Sequence, residues 1–509
     1  MRPSLLSIVA AGLSLASVAL ALLGWTFPAV LAALVSSLLS LMWVLRGRWQ
    51  AAPLCAVAAS LALCIHIWQP GAVGLSLFVL AWLLSVALLW VLPVPHLSAP
   101  GGPHLVGVRA IELSDEGRDA HWTDPPERPR RIQAYIWYPA QPAKGSRAAR
   151  YLTDREAVAL SASLKVLGLP SFINQHLKLA RTHSHRDAPA LPGKYPLLVF
   201  NHGGALWPLV NTALMEELAS HGYAVCSLAH PGESAGIAWA DGSFTSIGRE
   251  LVARMKQVGE ELGPYASMIL CQDPVQKRAY FDRLTRFDKD VKIELARNWA
   301  ADSVSLVTAL YERPADVGLG DLVQHLDLAH RAYLGMSLGG AASHEACHLD
   351  PEALACINID GMNWCFDRVD QHTPAAVLQI YGDPMMSMGQ LQRYVEPGVL
   401  APTELHPGLL MYNDFYYSAP EERGERADLH RVVVRGAGHM AFTDKALNIK
   451  GRLRRLLGLG TLDGARAVQV LNALCLSFLD CHVAEARPCH FSEAVNELPE
   501  VLPLAPLRP

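Results

Sequence analysis

Two serines in this chain of 509 residues lie in the pattern Gly-x-Ser-x-Gly, which can carry a nucleophilic serine. Ser337 lies in GMSLG and Ser234 lies in GESAG. A nucleophilic serine needs a strand before it, a sharp turn at the serine and a helix directly after it, because this geometry exposes the hydroxyl and directs a helix N-terminus at developing negative charge. The context of each serine must therefore separate them.

The context favours Ser337. The strand-like stretch RAYLGM precedes it, Gly335 and Gly339 flank it, and a helix-compatible run follows. Ser234 lies behind Pro231 and is followed by IAWADGSF, which has no sustained helical face. We therefore predict that Ser337 is the nucleophile and that Ser234 lies in a turn or in the lining of the pocket.

A serine nucleophile needs a histidine that takes its proton and an acid that orients this histidine. His439 follows the strand-like stretch LHRVVV in a glycine-rich loop, so we predict that it is the base. Asp360 ends ALACINID and Asp383 ends AAVLQIYGD, and both are candidate acids in the chain order serine, acid, histidine. Placement along the strands alone favours Asp383, because the acid most often follows the later strand in sites of this type.

The tetrahedral intermediate of acyl transfer carries an oxyanion, which preorganised hydrogen-bond donors stabilise. The backbone N–H of Leu338, directly after the predicted nucleophile, is one expected donor. The other is expected in the loop after the strand-like stretch PLLVF, where NHGG places Gly204. The sequence therefore predicts an oxyanion hole formed by Gly204 and Leu338.

The first 95 residues differ in composition from the rest of the chain. Their charged residues are Arg2, Arg46 and Arg48, and four apolar runs each have about the ~20 residues that a helix needs to cross a bilayer. These runs are 5–23, 27–44, 51–68 and 72–91. We predict a multi-pass transmembrane region of four helices in 1–95. Because arginines favour the cytoplasmic side, the RGRWQ loop between the second and third runs is predicted to be cytoplasmic. The third and fourth helices return the chain to that side, so the catalytic domain is predicted to be cytoplasmic, at the inner membrane if the source is bacterial.

Residues 96–509 have the pattern of one α/β domain. Short β-rich runs alternate with helical patterns, which predicts a mostly parallel central sheet with helices on both faces. Three long interruptions lie at about 150–192, 232–290 and 384–428. Interruptions of this length usually form lids or binding loops, so we expect them to select the substrate.

Six stretches in this domain, taken in order, resemble the plasma-type platelet-activating factor acetylhydrolases within the dienelactone-hydrolase-like α/β-hydrolases. They are RRIQAYIWYPA, KYPLLVFNHGG, ELASHGYAVCSLAHPGESAG, DLAHRAYLGMSLGGAAS, INIDGMNW and GAGHMAFTD. The resemblance implies the α/β-hydrolase fold, with Ser337 as nucleophile, His439 as base, and Gly204 and Leu338 as oxyanion donors. It also implies Asp360 rather than Asp383 as the acid, because the acid of that family follows the strand directly after the nucleophile.

The resemblance further implies a calcium-independent serine esterase that cleaves short or oxidised acyl groups from phospholipids. The chain departs from the family in reading GMSLG where the family usually has GHSFG, and in its apolar N-terminal region. The alternatives are an esterase for small or xenobiotic esters or polyesters and, in another class, a catalytically silent membrane-bound scaffold or sensor.

The expected partners are an ester substrate and the lipid bilayer. A net charge of −4 provides no basic surface for nucleic acid. Ten cysteines are scattered without a CxxC pair, so the sequence predicts neither a disulfide framework nor a zinc site, and no cofactor is expected.

Overall fold

The computed structural model describes residues 5–68, 70–262, 291–363, 373–383, 386, 426, 428–484 and 488–504. Residues 263–290 of the second predicted insertion lie outside the described residues. The same is true of nearly all of the third insertion, 384–428. The first insertion, 150–192, is described throughout.

Four apolar helices form the described part of the N-terminal region. They are α1 (Leu5–Leu22), α2 (Thr26–Leu45), α3 (Ala52–Ile67) and α4 (Ala72–Val91). By length and composition, three segments are long and apolar enough to cross a membrane, namely α2, α4 and the stretch Trp49–Ile67 that contains α3. The described apolar part of α1, Ile8–Leu22, is shorter. Four helices are therefore present where four are predicted, but three of them reach the length of a membrane span.

Small residues and hydroxyl groups hold these helices together. The Ser17 hydroxyl donates to the Ala29 carbonyl, and the Ser36 hydroxyl donates to the Ala10 carbonyl, both at 2.7 Å. Such contacts are typical of helices packed in a bilayer, where apolar burial alone does not drive association. Large apolar side chains, among them Leu38, Leu77 and Leu84, point outward and are exposed.

Ten strands form one sheet in the described part of the chain, in the order β12-β11-β10-β9-β8-β4-β5-β2-β1-β3. The strands from β5 to β11 in this order pair in parallel, whereas β2 pairs antiparallel to β1 and β5, and β12 pairs antiparallel to β11. The bounds, including those of a separate β6-β7 hairpin, are β1 Val106–Asp115, β2 Arg130–Pro139, β3 Ser184–Arg186, β4 Tyr195–Asn201, β5 Ala224–Ala229, β6 Ile237–Ala238, β7 Phe244–Thr245, β8 Leu326–Met336, β9 Ala355–Ile359, β10 Ala376–Gly382, β11 Leu429–Val434 and β12 Val501–Pro503.

Helices cover both faces of this sheet. Their bounds are α5 Asp154–Val166, α6 Thr212–Ser220, α7 Arg249–Leu262, α8 Lys292–Glu312, α9 Leu338–Leu349, α10 Lys445–Asn448, α11 Leu453–Leu456, α12 Gly464–His482 and α13 Phe491–Glu497. Alternate residues of β4 belong to two different cores: Leu198 and Phe200 pack with α6 and α12, whereas Leu197 and Val199 pack with α8. A strand buried on both faces must be apolar throughout, which explains the run PLLVF. The mostly parallel sheet with helices on both faces is the α/β-hydrolase architecture.

The helical region and the sheet domain contact each other on one side. Trp49, between α2 and α3, donates from Nε1 to the Ile173 carbonyl at 3.0 Å and packs edge-on against Phe172. At the end of α4, the Val91 carbonyl accepts from the Lys450 N–H at 2.9 Å. The loop that carries the two arginines therefore lies on the same side of the helices as the sheet domain.

A disulfide joins Cys481, near the end of α12, to Cys489, before α13. This bridge differs from the expectation of no disulfide framework, which followed because ten scattered cysteines give no pairing signal. The bridge depends on α12 ending within reach of the next segment. This proximity appears only once the chain is folded.

Candidate active site

Ser337 lies at a sharp turn between β8 and α9. Its backbone has φ 56° and ψ −122°, a combination that residues other than glycine rarely adopt. A Cβ on Gly335 would lie 2.1 Å from the Gly339 carbonyl oxygen, and a Cβ on Gly339 would lie 2.1 Å from that of Asn201. The flanking glycines are therefore required by the close packing of strand, turn and helix, which leaves the Ser337 hydroxyl at the sheet edge.

His439 contacts both Ser337 and Asp360. Its Nε2 lies 3.0 Å from the Ser337 Oγ, and its Nδ1 lies 2.6 Å from the Asp360 Oδ2. Because an ionised carboxylate only accepts hydrogen bonds, the Nδ1 carries the proton and the Nε2 is free to accept from the serine. The Gly382 N–H donates to the other Asp360 oxygen at 2.8 Å and fixes the carboxylate. The structure thus brings Ser337, His439 and Asp360 together.

Asp383 lies in the same region with different contacts. Its Oδ2 accepts from the Gly436 N–H at 2.7 Å, and its N–H donates to the Ala437 carbonyl at 2.7 Å. Asp383 therefore supports the loop that leads to His439, whereas the carboxylate on the imidazole belongs to Asp360.

The Asp360 contact shapes the electrostatics of His439. Burial alone would lower the pKa of His439, but the hydrogen bond and the negative charge of Asp360 outweigh it and raise the pKa above the ordinary value. The His439 side chain is 40% exposed, so the ring remains accessible from outside. The arrangement stabilises the imidazolium that forms when the serine loses its proton.

Gly204 and Leu338, the two residues predicted to supply the oxyanion donors, are neighbours in the structure. Leu338 is the first residue of α9, so its N–H has no partner within the helix. A Cβ on Gly204 would lie 3.7 Å from the Leu338 side chain, and a Cβ on Gly203 would lie 3.3 Å from that of Ser337. The NHGG loop after β4 therefore runs along the turn that carries Ser337.

Ser234 lies in a buried turn between β5 and β6, with 1% of its surface exposed. Its Oγ accepts from the His230 N–H at 2.7 Å and lies 2.6 Å from the His202 Nε2. A two-residue strand rather than a helix follows it. The structure thus places Ser234 in a turn and gives its hydroxyl two buried partners.

A buried charged cluster that sequence reasoning missed lies beside this turn. Arg130 pairs with Asp302 through two contacts of 2.8 Å and with Glu233 at 3.1 Å, and His230 lies 2.8 Å from Asp302. Despite burial, which acts in the other direction, Arg130 and the other partners lower the pKa of Asp302. An available signal was the position of Asp302 in WAADSVSLV, where an acid interrupts the apolar face of a helix.

His202 is neutral in this environment. Burial and the neighbouring His230 lower the pKa of His202 to about 3. Its ring packs edge-on against Trp299, which also stacks on His230. Two histidines to which the sequence assigned no role, His202 within the NHGG loop and His230 after β5, therefore pack against the same Trp299 ring.

Comparison with known proteins agrees with the motifs. Residues 98–279 match the family model described as platelet-activating factor acetylhydrolase, isoform II. The platelet-activating factor acetylhydrolase of Cavia porcellus is 35% identical over 340 residues, which cover 62% of this chain and 65% of the relative. The predicted family resemblance is confirmed.

A second platelet-activating factor acetylhydrolase, from Canis lupus familiaris, is 24% identical over 328 residues, or 63% of this chain and 65% of the relative. The chain therefore matches about 65% of the length of these curated relatives. The family-model match contains the NHGG and GESAG stretches and ends before Ser337.

Among solved structures, a ferulic acid esterase from Streptomyces cinnamoneus matches with a TM-score of 0.56 and 22% identity. The match covers 81% of this chain and 100% of that chain. At this identity the likeness establishes the fold alone, and it agrees with the mostly parallel sheet described above.

Proposed function

We propose that the chain is a membrane-anchored serine hydrolase that cleaves short acyl esters of phospholipids and related lipids through an acyl-enzyme. The observation that carries this proposal is the contact of His439 with Ser337 at 3.0 Å and with Asp360 at 2.6 Å. The family resemblance supports the lipid ester as substrate. In this proposal residues 1–95 anchor a catalytic domain that comprises residues 96–509.

In the first half of the reaction, the Ser337 Oγ attacks the ester carbonyl carbon and its proton passes to the His439 Nε2. The carbonyl oxygen becomes an oxyanion, which accepts hydrogen bonds from the N–H groups of Gly204 and Leu338 at the N-terminus of α9. When the intermediate collapses, the bond to the alcohol oxygen breaks and His439 returns the proton to the departing alcohol.

In the second half, water attacks the acyl-serine while His439 accepts its proton. A second tetrahedral intermediate forms in the same oxyanion hole and releases the carboxylic acid, and the proton returns to the Ser337 oxygen. Asp360 accepts the hydrogen bond from the His439 Nδ1 in both halves, so the ring keeps the required tautomer.

The position of the site relative to the helices supports a substrate that resides in the membrane. Lys450 contacts the end of α4, and the Gly458 carbonyl accepts from the N–H of Met440, which directly follows His439, at 2.9 Å. One short segment thus connects the last apolar helix with the histidine loop. Leu456 in this segment is 72% exposed, and Arg452 and Arg455 are exposed beside it. Leucines and arginines together suit the boundary between headgroups and acyl chains.

A panel of esters tests the proposed substrate class. The full chain in proteoliposomes should cleave glycerophospholipids with a short sn-2 acyl group faster than those with a long one, and Ser337→Ala should abolish this cleavage. Turnover of small soluble esters with intact glycerophospholipids would overturn the lipid specificity and favour the small-ester alternative. A chain that turns over no ester and takes no fluorophosphonate label would be the silent scaffold instead.

The side of the membrane is tested with the same type of probe. Arg46 and Arg48 lie on the side of the catalytic domain, which supports a cytoplasmic site, whereas a disulfide at Cys481 is more typical of an oxidising compartment. We propose the cytoplasmic side. A membrane-impermeant fluorophosphonate should label Ser337 only after the cells are permeabilised, and labelling of intact cells would place the domain outside.

A further inference from the structure

The second serine motif, GESAG, has no role in the reaction described above. We propose that Ser234 and His202 position the peptide between Gly203 and Gly204, whose N–H is the oxyanion donor from the NHGG loop. In this inference, which rests on the proposed function, both side chains are positioning residues that do not touch the substrate.

The hydrogen bonds of His202 have a single consistent direction. The Gly203 carbonyl lies 2.8 Å from the His202 Nδ1, and because a carbonyl can only accept, the Nδ1 carries the proton. A neutral ring has one N–H, so the Nε2 must accept. Its partner is the Ser234 hydroxyl at 2.6 Å, which therefore donates its proton to His202.

The Ser234 oxygen also accepts a hydrogen bond. It accepts from the His230 N–H at 2.7 Å. The chain of bonds runs from the His230 N–H through the Ser234 hydroxyl and the His202 ring to the Gly203 carbonyl. Each donor meets an acceptor, so the direction of all three hydrogen bonds is fixed.

This series of hydrogen bonds ends at the peptide between Gly203 and Gly204, which carries the oxyanion donor. The Gly203 carbonyl and the Gly204 N–H belong to one peptide unit, and in a trans peptide the two groups point in opposite directions. The Gly203 carbonyl accepts from the His202 Nδ1 and from the Leu206 N–H at 3.1 Å. Both bonds therefore direct the Gly204 N–H away from His202, and a Cβ on Gly204 would lie 3.7 Å from the Leu338 side chain. Fixing the carbonyl therefore fixes the donor.

The first residue of this series of hydrogen bonds, His230, is held in place by its neighbours. His230 is held by Asp302 at 2.8 Å and stacks on Trp299 with ring centroids 4.1 Å apart. His202 and Ser234 are both buried, with 0% and 1% exposed. Glycines in the loop have little intrinsic rigidity, so a buried chain of hydrogen bonds supplies the orientation that the NHGG backbone lacks.

The burial of Ser234 also separates this role from that of a second nucleophile. Its hydroxyl proton is already donated to His202, and with 1% of its surface exposed it is not accessible to an ester in this structure. His202 has a carbonyl rather than a carboxylate at its Nδ1, so no charge is available to stabilise an imidazolium.

The first experiment compares Ser234→Ala with the wild type in the full chain. We expect kcat to fall about 10-fold with KM within about twofold, because loss of a whole oxyanion donor costs about 10²- to 10³-fold in kcat and misorientation loses part of this. The affinity of an alkyl trifluoromethyl ketone, whose hemiketal oxyanion occupies the same hole, should fall in parallel with kcat. If Ser234→Ala does not fold, Ser234→Cys keeps a weaker donor at nearly the same size and should give a smaller loss.

The second experiment separates the two nitrogens of His202. In His202→Asn the amide nitrogen can occupy the Nδ1 position and still donate to the Gly203 carbonyl. In His202→Gln the amide reaches the Nε2 position and loses that bond. We expect His202→Asn to retain at least about fivefold more kcat than His202→Gln at equal melting temperature.

The results for these variants decide whether Ser234 and His202 position the Gly203–Gly204 peptide. Wild-type kcat and inhibitor affinity in a folded Ser234→Ala or Ser234→Cys protein would overturn it, as would equal kcat in His202→Asn and His202→Gln. These results leave the proposed function standing as long as Ser337→Ala abolishes activity. Ester turnover that survives in Ser337→Ala would instead overturn the proposed function itself.

Discussion

The chain contains two serines in the same five-residue pattern, and each lies next to a histidine. Ser337 Oγ is 3.0 Å from His439, and Ser234 Oγ is 2.6 Å from His202. The shorter contact is the one for which we propose no chemistry. The sites differ at the far nitrogen of the imidazole, where His439 meets the Asp360 carboxylate and His202 meets a backbone carbonyl.

This difference shows that a contact between serine and histidine does not by itself make a nucleophile. A carboxylate raises the pKa of His439 and stabilises the ring once it carries a second proton. Burial lowers the pKa of His202 to about 3, so that ring stays neutral and serves as a fixed link between two hydrogen bonds. The two sites therefore differ in the carboxylate next to the histidine and in exposure to solvent. The distance from serine to histidine does not distinguish them.

The largest expected effect comes from removing the two hydroxyl groups in turn. Ser337→Ala should lower kcat by about 10⁴- to 10⁶-fold, because the covalent intermediate cannot form. Ser234→Ala should cost only about 10-fold, since a misoriented donor loses part of the stabilisation that a missing one loses. Initial rates on a short-chain fluorogenic ester, together with fluorophosphonate labelling, measure both variants.

Labelling adds a direct check of which serine reacts. The label should disappear in Ser337→Ala and persist in Ser234→Ala. A label that persists in Ser337→Ala and is lost in Ser234→Ala would exchange the roles assigned to the two sites.

A smaller loss is expected when the acid is changed. Asp360→Asn should lower kcat by about 10³- to 10⁴-fold, because an amide can place the wrong tautomer of His439 and cannot balance its positive charge. The matched variant Asp383→Asn keeps the size of a residue that supports the same loop and should stay within about 10-fold of the wild type. Comparable losses in the two variants, measured as kcat on one ester, would contradict the assignment of Asp360 as the acid.

The sheet order explains why strand-end placement alone favoured Asp383, whereas the family resemblance implied Asp360. Asp360 and Asp383 follow β9 and β10, and both strands end at the edge where Ser337 follows β8. Because β9 pairs directly with β8, Asp360 lies one strand from the serine and Asp383 lies two. Strand order is a long-range property, which the local pattern of a sequence does not contain. The family resemblance supplied that information.

The alternation of strands and helices, in contrast, was visible in local patterns. The runs PLLVF and AAVLQIY predict strands buried on both faces, and β4 and β10 are such strands. The link between His202 and Ser234 could not be predicted, because it joins two loops 32 residues apart whose proximity depends on the pairing of β4 with β5. Apolar length predicted the N-terminal helices, and three segments of this described region are long and apolar enough to cross a membrane.

The charged cluster behind the second serine should show its effect in stability. Asp302→Asn removes one of the two carboxylates that pair with Arg130 and leaves Glu233 as the other, in a site where all three side chains are buried. Breaking one partner of a buried ion pair costs about 3–5 kcal/mol, so the free energy of unfolding should fall by about that amount. Denaturant titration of the sheet domain's tryptophan fluorescence measures the change.

The matched change at the site of Ser337 and His439 is Asp360→Asn. Asp360 lies at the accessible edge, so its replacement should alter the free energy of unfolding by about 1 kcal/mol or less while it removes most of the activity. If Asp302→Asn were as stable as the wild type, the cluster would not be what holds the second serine in place.

The smallest expected effect lies in the pH dependence, and it separates the two histidines. His439 must be neutral to accept the Ser337 proton, so kcat/KM is lost as pH falls through its pKa. Since Asp360 raises that pKa, the midpoint of the acidic limb should lie above about 6.5, the ordinary value for histidine. His202, with its pKa lowered to about 3, is neutral throughout the range from about pH 5 to 9 and adds no second inflection. Ser234→Ala should therefore lower the whole profile without moving its midpoint, and a midpoint that shifts in this variant would mean that the second site titrates with the first.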